Sequence, residues 1–164
     1  MAKKISIAAL MLLVVVGGLL IAGEWTVKRR SETVCGFCNR PIQPNLGVVA
    51  EVGGRTRRVC CARCAITEAR QESKPLRLIS VTDYTSGRTL YPERAWFVED
   101  SRAIACNHDM AMVDQNKQVE HLAFDRCSPG TFAFARKDDA DEFVARNGGV
   151  VHSLQEMLGE VKSQ

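Results

Sequence analysis

The chain has 164 residues, a formal net charge of +3 and seven cysteines. Five of its 22 Lys and Arg residues flank an apolar segment near the N-terminus, so the 17 that follow residue 30 face 18 Asp and Glu. This balance supplies no basic patch of the kind that binds nucleic acid, and we expect no nucleic-acid partner. The rest of the chain is long enough to fold around its own core, so the cysteines indicate a role other than stapling.

The first predicted element is a transmembrane helix within residues 1–23. Residues 5–22 are uncharged, and as a helix they reach about 27 Å, close to the thickness of a bilayer core. This run is longer than the apolar core of a signal peptide, which has about 7–15 residues. We interpret it as an uncleaved signal-anchor, with a cleaved signal as the alternative.

Residues 24–34 are the predicted juxtamembrane linker, and residues 35–164 are predicted as one cysteine-rich domain. Basic residues lie on both sides of the helix, so the positive-inside rule does not decide its orientation. We expect a single-pass protein of the cell membrane whose domain lies outside the cytoplasm, in the periplasm.

The first half of this domain predicts two strands, a helix and a third strand. Between the first two strands lies Gly53-Gly54, which favours a two-residue hairpin because glycine accepts the positive φ of such turns. Pro75 ends the helix. In chain order the predicted elements are strand 47–52, strand 55–60, helix 61–72 and strand 76–81.

The second half repeats this order of elements without repeating the sequence. Asp138 is a predicted N-cap of its helix, Gly148-Gly149 a predicted stop, and Ser153 a predicted cap of a final helix. The predicted elements are strands 95–98, 119–124 and 131–135, helix 138–147, a strand beginning at 150–151 and a helix from 153. We therefore predict an α+β fold of two ββαβ-like units, plus the N-terminal transmembrane helix.

Two CxxC pairs, Cys35/Cys38 and Cys61/Cys64, are separated by 22 residues and indicate a metal site. Asn39 tolerates the left-handed backbone that follows a metal knuckle, and the start of a helix stabilises thiolates at the second pair. Knuckle, hairpin and helix give a treble-clef-like order. Four thiolates favour Zn²⁺, and two or three favour Cu(I). Structural disulfides and a redox CxxC are the alternatives.

A second group of soft ligands comprises Cys106, His108, Met110 and Met112. Alternate positions of an extended segment lie on one face, and such ligands select Cu(I). The alternative is a loop with two core methionines. Cys127 either joins this group or is buried, and Cys60 is either core or a spare ligand.

Nothing in the sequence indicates catalysis. There is no defensible Ser-His-Asp order, no glycine-rich phosphate loop and no carboxylate pair tied to a histidine. We expect a binding protein and not an enzyme.

The sequence resembles the NosL family, copper-binding accessory proteins of nitrous oxide reductase. The resemblance spans Cys35 to about Val151 and lies in Val81-Thr-Asp-Tyr84, Ala95-Trp-Phe-Val98 and Gly130-Thr-Phe-Ala-Phe-Ala135. It implies two ββαβ units, an extracytoplasmic location, Cu(I) binding and delivery of copper to a client enzyme.

The chain also departs from the family pattern. The family's methionine after the first CxxC and its P-M-G methionine are replaced, the latter by the segment 128–130, and Cys61/Cys64 adds a second CxxC. Two functions follow from these patterns. The first is a membrane-tethered Cu(I) metallochaperone for an extracytoplasmic enzyme. The second is a structural zinc module in which Cys35, Cys38, Cys61 and Cys64 close one tetrahedral site.

Overall fold

The computed structural model describes residues 7–105, 107–113, 115–125, 127 and 130–159. Side chains are described for residues 11–29, 32–105, 115–118, 127 and 130–159. The chain divides into two compact regions, Met1–Thr33 and Val34–Gln164.

The described part of the N-terminal region is one helix, α1 (Ile7–Thr33). Its segment Met11–Arg29 is long and apolar enough to cross a membrane, and none of it is buried in the fold. A signal sequence near the N-terminus can pass the same test of length and composition, so the prediction of an uncleaved anchor stays a prediction. The predicted linker is helical as far as Thr33.

The first half of the C-terminal region is a ββαβ arrangement, which we call the first unit. The hairpin turn has the expected positive φ at both glycines, 57° at Gly53 and 79° at Gly54. Strand β1 lies in the middle, with antiparallel partners on both sides and a short edge strand beyond. The elements are β1 (Val48–Val52), β2 (Arg55–Val59), α2 (Ala62–Glu72), β3 (Leu76–Thr82) and β4 (Thr89–Leu90), and the sheet order is β2-β1-β3-β4.

The second half, which we call the second unit, has the same arrangement, with a two-stranded hairpin inserted after its first strand. A 3₁₀ turn, Pro92–Arg94, precedes that first strand. Strand β5 lies in the middle of a three-stranded antiparallel sheet of order β8-β5-β9. The elements are β5 (Trp96–Glu99), the inserted β6 (Asn107–Val113) and β7 (Val119–Asp125), β8 (Phe132–Phe134), α3 (Lys137–Asn147), β9 (Val150–Ser153) and α4 (Leu154–Gly159).

The predicted α+β class with two ββαβ-like units is confirmed. In each unit the first strand is central, the second and third flank it, and the helix connects the second strand to the third. The segment after residue 106 is a strand and not the loop of the alternative interpretation.

The predicted N-cap of the helix α3, Asp138, is wrong. Helix α3 has Arg136 as its N-cap residue, so Asp138 lies inside the first turn, where its charge complements the helix dipole. Ser153, in contrast, caps α4 as predicted. Its Oγ accepts a hydrogen bond from the Glu156 N–H at 3.3 Å, and Glu156 Oε2 accepts one from the Ser153 N–H at 2.6 Å.

The interior contains two apolar clusters of different composition. The cysteine core contains five buried cysteines and apolar residues of α2 and the first sheet, such as Ile66 and Leu78, together with Phe97 of β5 and Met157 of α4. The aromatic core lies in the second unit and includes Phe132, Phe134 and Phe143. The ring of Tyr84 from the first unit packs edge-on against all three phenylalanines, at centroid distances of 5.1 to 5.7 Å.

The two units are joined just after β3. The buried Asp83 accepts hydrogen bonds from the Ala135 N–H at 3.0 Å and from the backbone and hydroxyl of Ser86. The Tyr84 N–H donates to the carbonyl oxygen of Ala133 at 2.7 Å. The Val-Thr-Asp-Tyr motif therefore holds the edge of the second sheet against the first unit.

Candidate metal centre

The first CxxC forms a tight turn directly after residue 34. The Cys35 N–H donates to the Arg40 carbonyl oxygen at 2.7 Å, and the Asn39 N–H donates to that of Cys35 at 3.0 Å. Asn39 has the expected left-handed backbone, with φ of 57°. The Cys38 N–H lies 3.4 Å from Cys35 Sγ, so it can stabilise negative charge on that sulfur. This is the geometry that a metal knuckle requires.

The knuckle is fixed to the first unit by main-chain and arginine contacts. The Gly36 N–H donates to the Arg58 carbonyl oxygen at 2.8 Å, and Arg57 Nη1 donates to the Gly36 carbonyl oxygen at 3.1 Å. Arg57 also pairs with the buried Glu68 of α2 at 3.0 Å. One guanidinium thus ties the knuckle to β2 and α2.

The second group of thiols lies where β2 ends and α2 begins. Cys60 follows the last residue of β2, Cys61 is the N-cap of α2, and Cys64 is in its first turn. The Cys64 N–H donates to the Cys61 carbonyl oxygen at 3.2 Å. The N–H groups of a helix start favour negative charge on nearby sulfur, and the second CxxC lies at such a start.

The sulfur atoms of the two groups meet, and Cys127 joins them. Cys60 Sγ lies 3.7 Å from Cys38 Sγ, 3.3 Å from Cys64 Sγ and 3.6 Å from Cys127 Sγ. Cys64 Sγ lies 3.5 Å from Cys127 Sγ. We call these six cysteines the thiol cluster: Cys35, Cys38, Cys60, Cys61, Cys64 and Cys127.

The thiol cluster contains two sets of four sulfurs that each lie within 4.8 Å of one another. The first quartet is Cys35, Cys38, Cys60 and Cys64, and the second quartet is Cys60, Cys61, Cys64 and Cys127. A tetrahedral ion with bonds of about 2.3 Å to sulfur needs sulfurs about 3.8 Å apart. Each quartet is therefore close to the size that a metal ion demands.

The cluster is enclosed on most sides. Five of its thiols are buried, and Cys38 is the partly exposed one among the six described cysteines. Burial excludes water from the sulfurs, while Cys38 leaves a side open to solvent. None of these six described cysteines forms a disulfide.

The crowding of the thiols shifts their acidities in opposite directions. Hydrogen bonds from Cys60 and Cys64 hold the pKa of Cys35 well below its ordinary value of 9.0. Contacts with Cys127 and Cys35 raise the pKa of Cys60, and burial raises that of Cys38. Thiols that accept hydrogen bonds as thiolates are the first to ionise, and the donors stay protonated longer. Metal binding at the cluster must therefore release protons.

The sequence predicted Cys35, Cys38, Cys61 and Cys64 as the best ligands, and the structure groups them differently. Cys60, which the sequence left open as core or spare ligand, belongs to both quartets. Cys61 lies with Cys127 in the second quartet. The odd position of Cys60 beside a CxxC was the available indication, since strand and helix meet there.

The weaker predicted ligands lie partly outside the described residues. Cys106 is outside them, and for His108 and Met110 the backbone alone is described, as alternate positions of β6. Their proposed role as a soft-ligand group stays a prediction. Cys127 is in the thiol cluster.

A second ion pair supports the helix that carries the cluster. Arg63, between Cys61 and Cys64, pairs with the buried Glu99 of β5 at 2.9 Å. Thr131 Oγ1 donates to the same carboxylate at 3.2 Å. The start of α2 is thereby tied to the second unit, which limits movement of the thiols around it.

The fold is similar to a solved structure, the crystal structure of the copper chaperone NosL from Shewanella denitrificans. The two chains share 16% sequence identity with a TM-score of 0.52, and the match covers 77% of this chain and 90% of that one. No protein-family model and no curated protein matches the chain. At this identity the comparison shows a shared fold, and the chain has a NosL-like fold.

Proposed function

We propose that this protein binds Cu(I) through the thiol cluster and serves as a membrane-tethered metallochaperone that delivers copper to an extracytoplasmic enzyme. The observation that carries the proposal is the convergence of six cysteines, five of them buried, in two overlapping sets of four sulfurs that could each hold an ion. Soft thiolates select Cu(I) over harder ions. The NosL-like fold supports the same assignment.

Delivery requires that the bound ion can leave, and the geometry of Cys38 supports this. Its thiol lies at the open side of the cluster, on a turn, while the other five thiols are buried. An incoming thiolate from a partner can therefore reach the ion from the Cys38 side. The cluster binds and passes on an ion, and we assign it no catalytic step.

The tether is proposed from α1. Its length and composition suit a membrane crossing, and the first ligand, Cys35, follows Thr33 by two residues in the chain. A domain anchored in this way would exchange copper close to the outer face of the membrane. Fractionation of cells that express the full chain tests this, since extraction of the protein by carbonate wash would contradict an integral anchor.

The binding test is a Cu(I) competition titration against a calibrated chelator, with the reduced full chain in detergent and without oxygen. Cys38→Ser and Cys64→Ser should each weaken Cu(I) binding by at least tenfold. The matched control is Met157→Leu, which removes a sulfur from the same buried core at nearly constant volume and should change little. Unchanged affinity in both cysteine variants would overturn the proposal.

The same titration on Cys106→Ser tests the predicted second group of soft ligands. Weaker Cu(I) binding in this variant would place Cys106 on the copper path. Equal affinity would leave the thiol cluster as the binding site and remove residues 106–112 from the proposal.

A structural zinc module is the second candidate function. The knuckle hydrogen bond to Cys35 Sγ and the four-sulfur geometry of each quartet also suit Zn²⁺. In this case the ion closes the first unit and is not passed on. Elemental analysis of protein purified without oxygen separates the two, because tightly held zinc without high-affinity copper binding favours the structural module.

A further inference from the structure

We propose that the thiol cluster holds two metal ions, with the sulfurs of Cys60 and Cys64 bridging them. The inference rests on the proposed function in requiring that the cluster binds a thiophilic metal. It goes further in the number of ions and in the role of each cysteine. Each ion would have two terminal thiolates of its own and share the two bridging ones.

The first step is the overlap of the two quartets. They are not alternatives that draw on separate cysteines, since both contain Cys60 and Cys64, whose sulfurs lie 3.3 Å apart. Two tetrahedra that share two corners share an edge. The edge in this cluster is the line between these two sulfurs.

The second step is the number of ligands. A tetrahedral ion takes four thiolates, so a single ion in the first quartet leaves Cys61 and Cys127 without metal, although both are buried and within 4.8 Å of the bridging sulfurs. A single ion in the second quartet leaves Cys35 and Cys38 without metal, and Cys35 is buried. Two ions use all six thiols, and six-cysteine sites with two zinc ions are an established protein arrangement.

The third step is charge. Six thiolates around two Zn²⁺ ions carry the same net negative charge as four thiolates around one Zn²⁺, so the second site adds no net charge to the buried cluster. The neighbouring guanidinium groups of Arg57 and Arg63 pair with Glu68 and Glu99. The charge of the two further thiolates is therefore matched by the second ion and not by these side chains.

The fourth step is how the backbone delivers the sulfurs. The knuckle brings the two terminal ligands of one ion from one side, Cys35 and Cys38. The junction of β2 and α2 places Cys60 and Cys64 in the middle, and Cys61 beside them. Cys127 completes the second ion from a separate loop, 3.6 Å and 3.5 Å from the bridging sulfurs.

The test counts metal ions per chain. Reduced full-length protein is saturated without oxygen, in one series with Cu(I) from a calibrated chelator and in another with Zn²⁺, and native mass spectrometry gives the stoichiometry. We expect two ions per wild-type chain in the Zn²⁺ series, because each ion in the shared-edge geometry has four thiolates. Two ions in both series would show that the geometry accepts either metal, and two with Zn²⁺ alone would assign the pair to zinc.

Two matched variants each remove a terminal ligand from one quartet only. Cys35→Ser should leave the second quartet intact, and Cys127→Ser should leave the first, so each should bind one ion. Cys64→Ser removes a bridge and should weaken binding of both ions by at least tenfold. If Cys64→Ser does not fold by circular dichroism, the two terminal variants still decide the question.

The outcomes separate the two proposals. One tightly bound ion per wild-type chain in both series, with no change in Cys127→Ser, would overturn the two-ion cluster and leave the chaperone proposal standing. More than two Zn²⁺ ions at saturation would overturn the shared-edge geometry. No Cu(I) binding would overturn the chaperone proposal alone, and no binding of either metal would overturn both proposals.

Discussion

The two ββαβ units have the same strand order but close their interiors with different chemistry. In the first unit α2 buries small side chains against the sheet, among them Ala62, Ala65 and Cys64, and the thiols fill the remaining space. In the second unit α3 buries Phe143 against Phe132 and other rings. One arrangement of strands and helix is therefore compatible with a metal-binding interior and with an aromatic interior.

The difference has an energetic consequence. An aromatic side chain buries about 150–250 Å² and supplies much of the apolar stabilisation of a core. A cysteine buries far less, and a cluster of thiols contributes fully only when metal bonds join its members. We therefore expect the stability of the cysteine core to depend on metal more strongly than that of the aromatic core.

The largest effect that tests this contrast is in the aromatic core. Phe143 packs against Phe132 at 4.8 Å and Phe134 at 5.2 Å, so Phe143→Ala should lower the free energy of unfolding by about 3–5 kcal/mol. Urea titration should give the same loss for copper-loaded and metal-free protein. Phe143→Leu, which keeps more apolar volume, should lose less. A loss that depends on metal would contradict the separation of the two interiors.

Metal removal is the matching test in the first unit. An ion present at one thousand times its dissociation constant stabilises the folded state by about 4 kcal/mol, which chelation removes. Hydrogen exchange should then show reduced protection in β1, β2 and α2 and little change in α3 and β8. Equal loss of protection in both units would show that the interiors are not independent.

Asp83 tests how the two units are joined. Asp83→Ala removes the acceptor of the Ala135 N–H and of the Ser86 hydroxyl, and should cost about 1–3 kcal/mol of unfolding free energy. The control is Asp138→Ala, which removes an exposed acid that pairs with the exposed Arg136, and for it we expect little change in melting temperature. Equal effects of the two substitutions would remove Asp83 from its joining role.

Gly149 tests the close approach of β9 to β5. Its φ is +104°, and an added Cβ would lie 2.5 Å from the Glu99 carbonyl oxygen. Gly149→Ala should therefore cost about 1–3 kcal/mol or more in thermal unfolding. Gly54→Ala is the control, because Gly54 also has positive φ but nothing lies near its added Cβ, so its loss should be smaller.

The smallest expected effect is at the start of α4. Ser153→Ala removes the cap and should lower the free energy of unfolding by about 1 kcal/mol.

The Ser153 N–H lowers the pKa of Glu156 from its ordinary value of 4.5. The unfolded chain then binds the proton more readily, so this contribution is present above pH 4.5 and is lost as the pH falls through the lower folded pKa. In Glu156→Gln the melting temperature should depend less on pH in that acidic range.

Most of the order of elements was predictable from local patterns, but β4 and β6 were not predicted as strands. The Gly-Gly hairpin, the Pro75 boundary and the cap at Ser153 each depend on backbone preferences of neighbouring residues. The common strand order of the two units depends on pairing between distant strands, and the sequence supported it through the repeated order of elements and the NosL resemblance.

The membership of the thiol cluster was less predictable. The CxxC spacing identified Cys35, Cys38, Cys61 and Cys64, because two thiols four positions apart or less share one turn. The central position of Cys60 depends on the geometry of the connection between β2 and α2. The position of Cys127 depends on tertiary packing, because Cys127 follows Cys64 by 63 residues. Neither is contained in a local spacing rule.

The partial exposure of Cys38 allows the rate of metal release to change without a change in the affinity of the cluster. Spontaneous escape of an ion from buried sulfurs requires several metal bonds to break without replacement, and that pathway is slow. A partner thiolate that bonds to the ion beside Cys38 replaces each bond as it is lost, so the barrier falls without any change in affinity. The lifetime of the loaded protein would then be set by its encounters with a partner, and a cluster that holds copper for hours alone would empty quickly when the acceptor arrives.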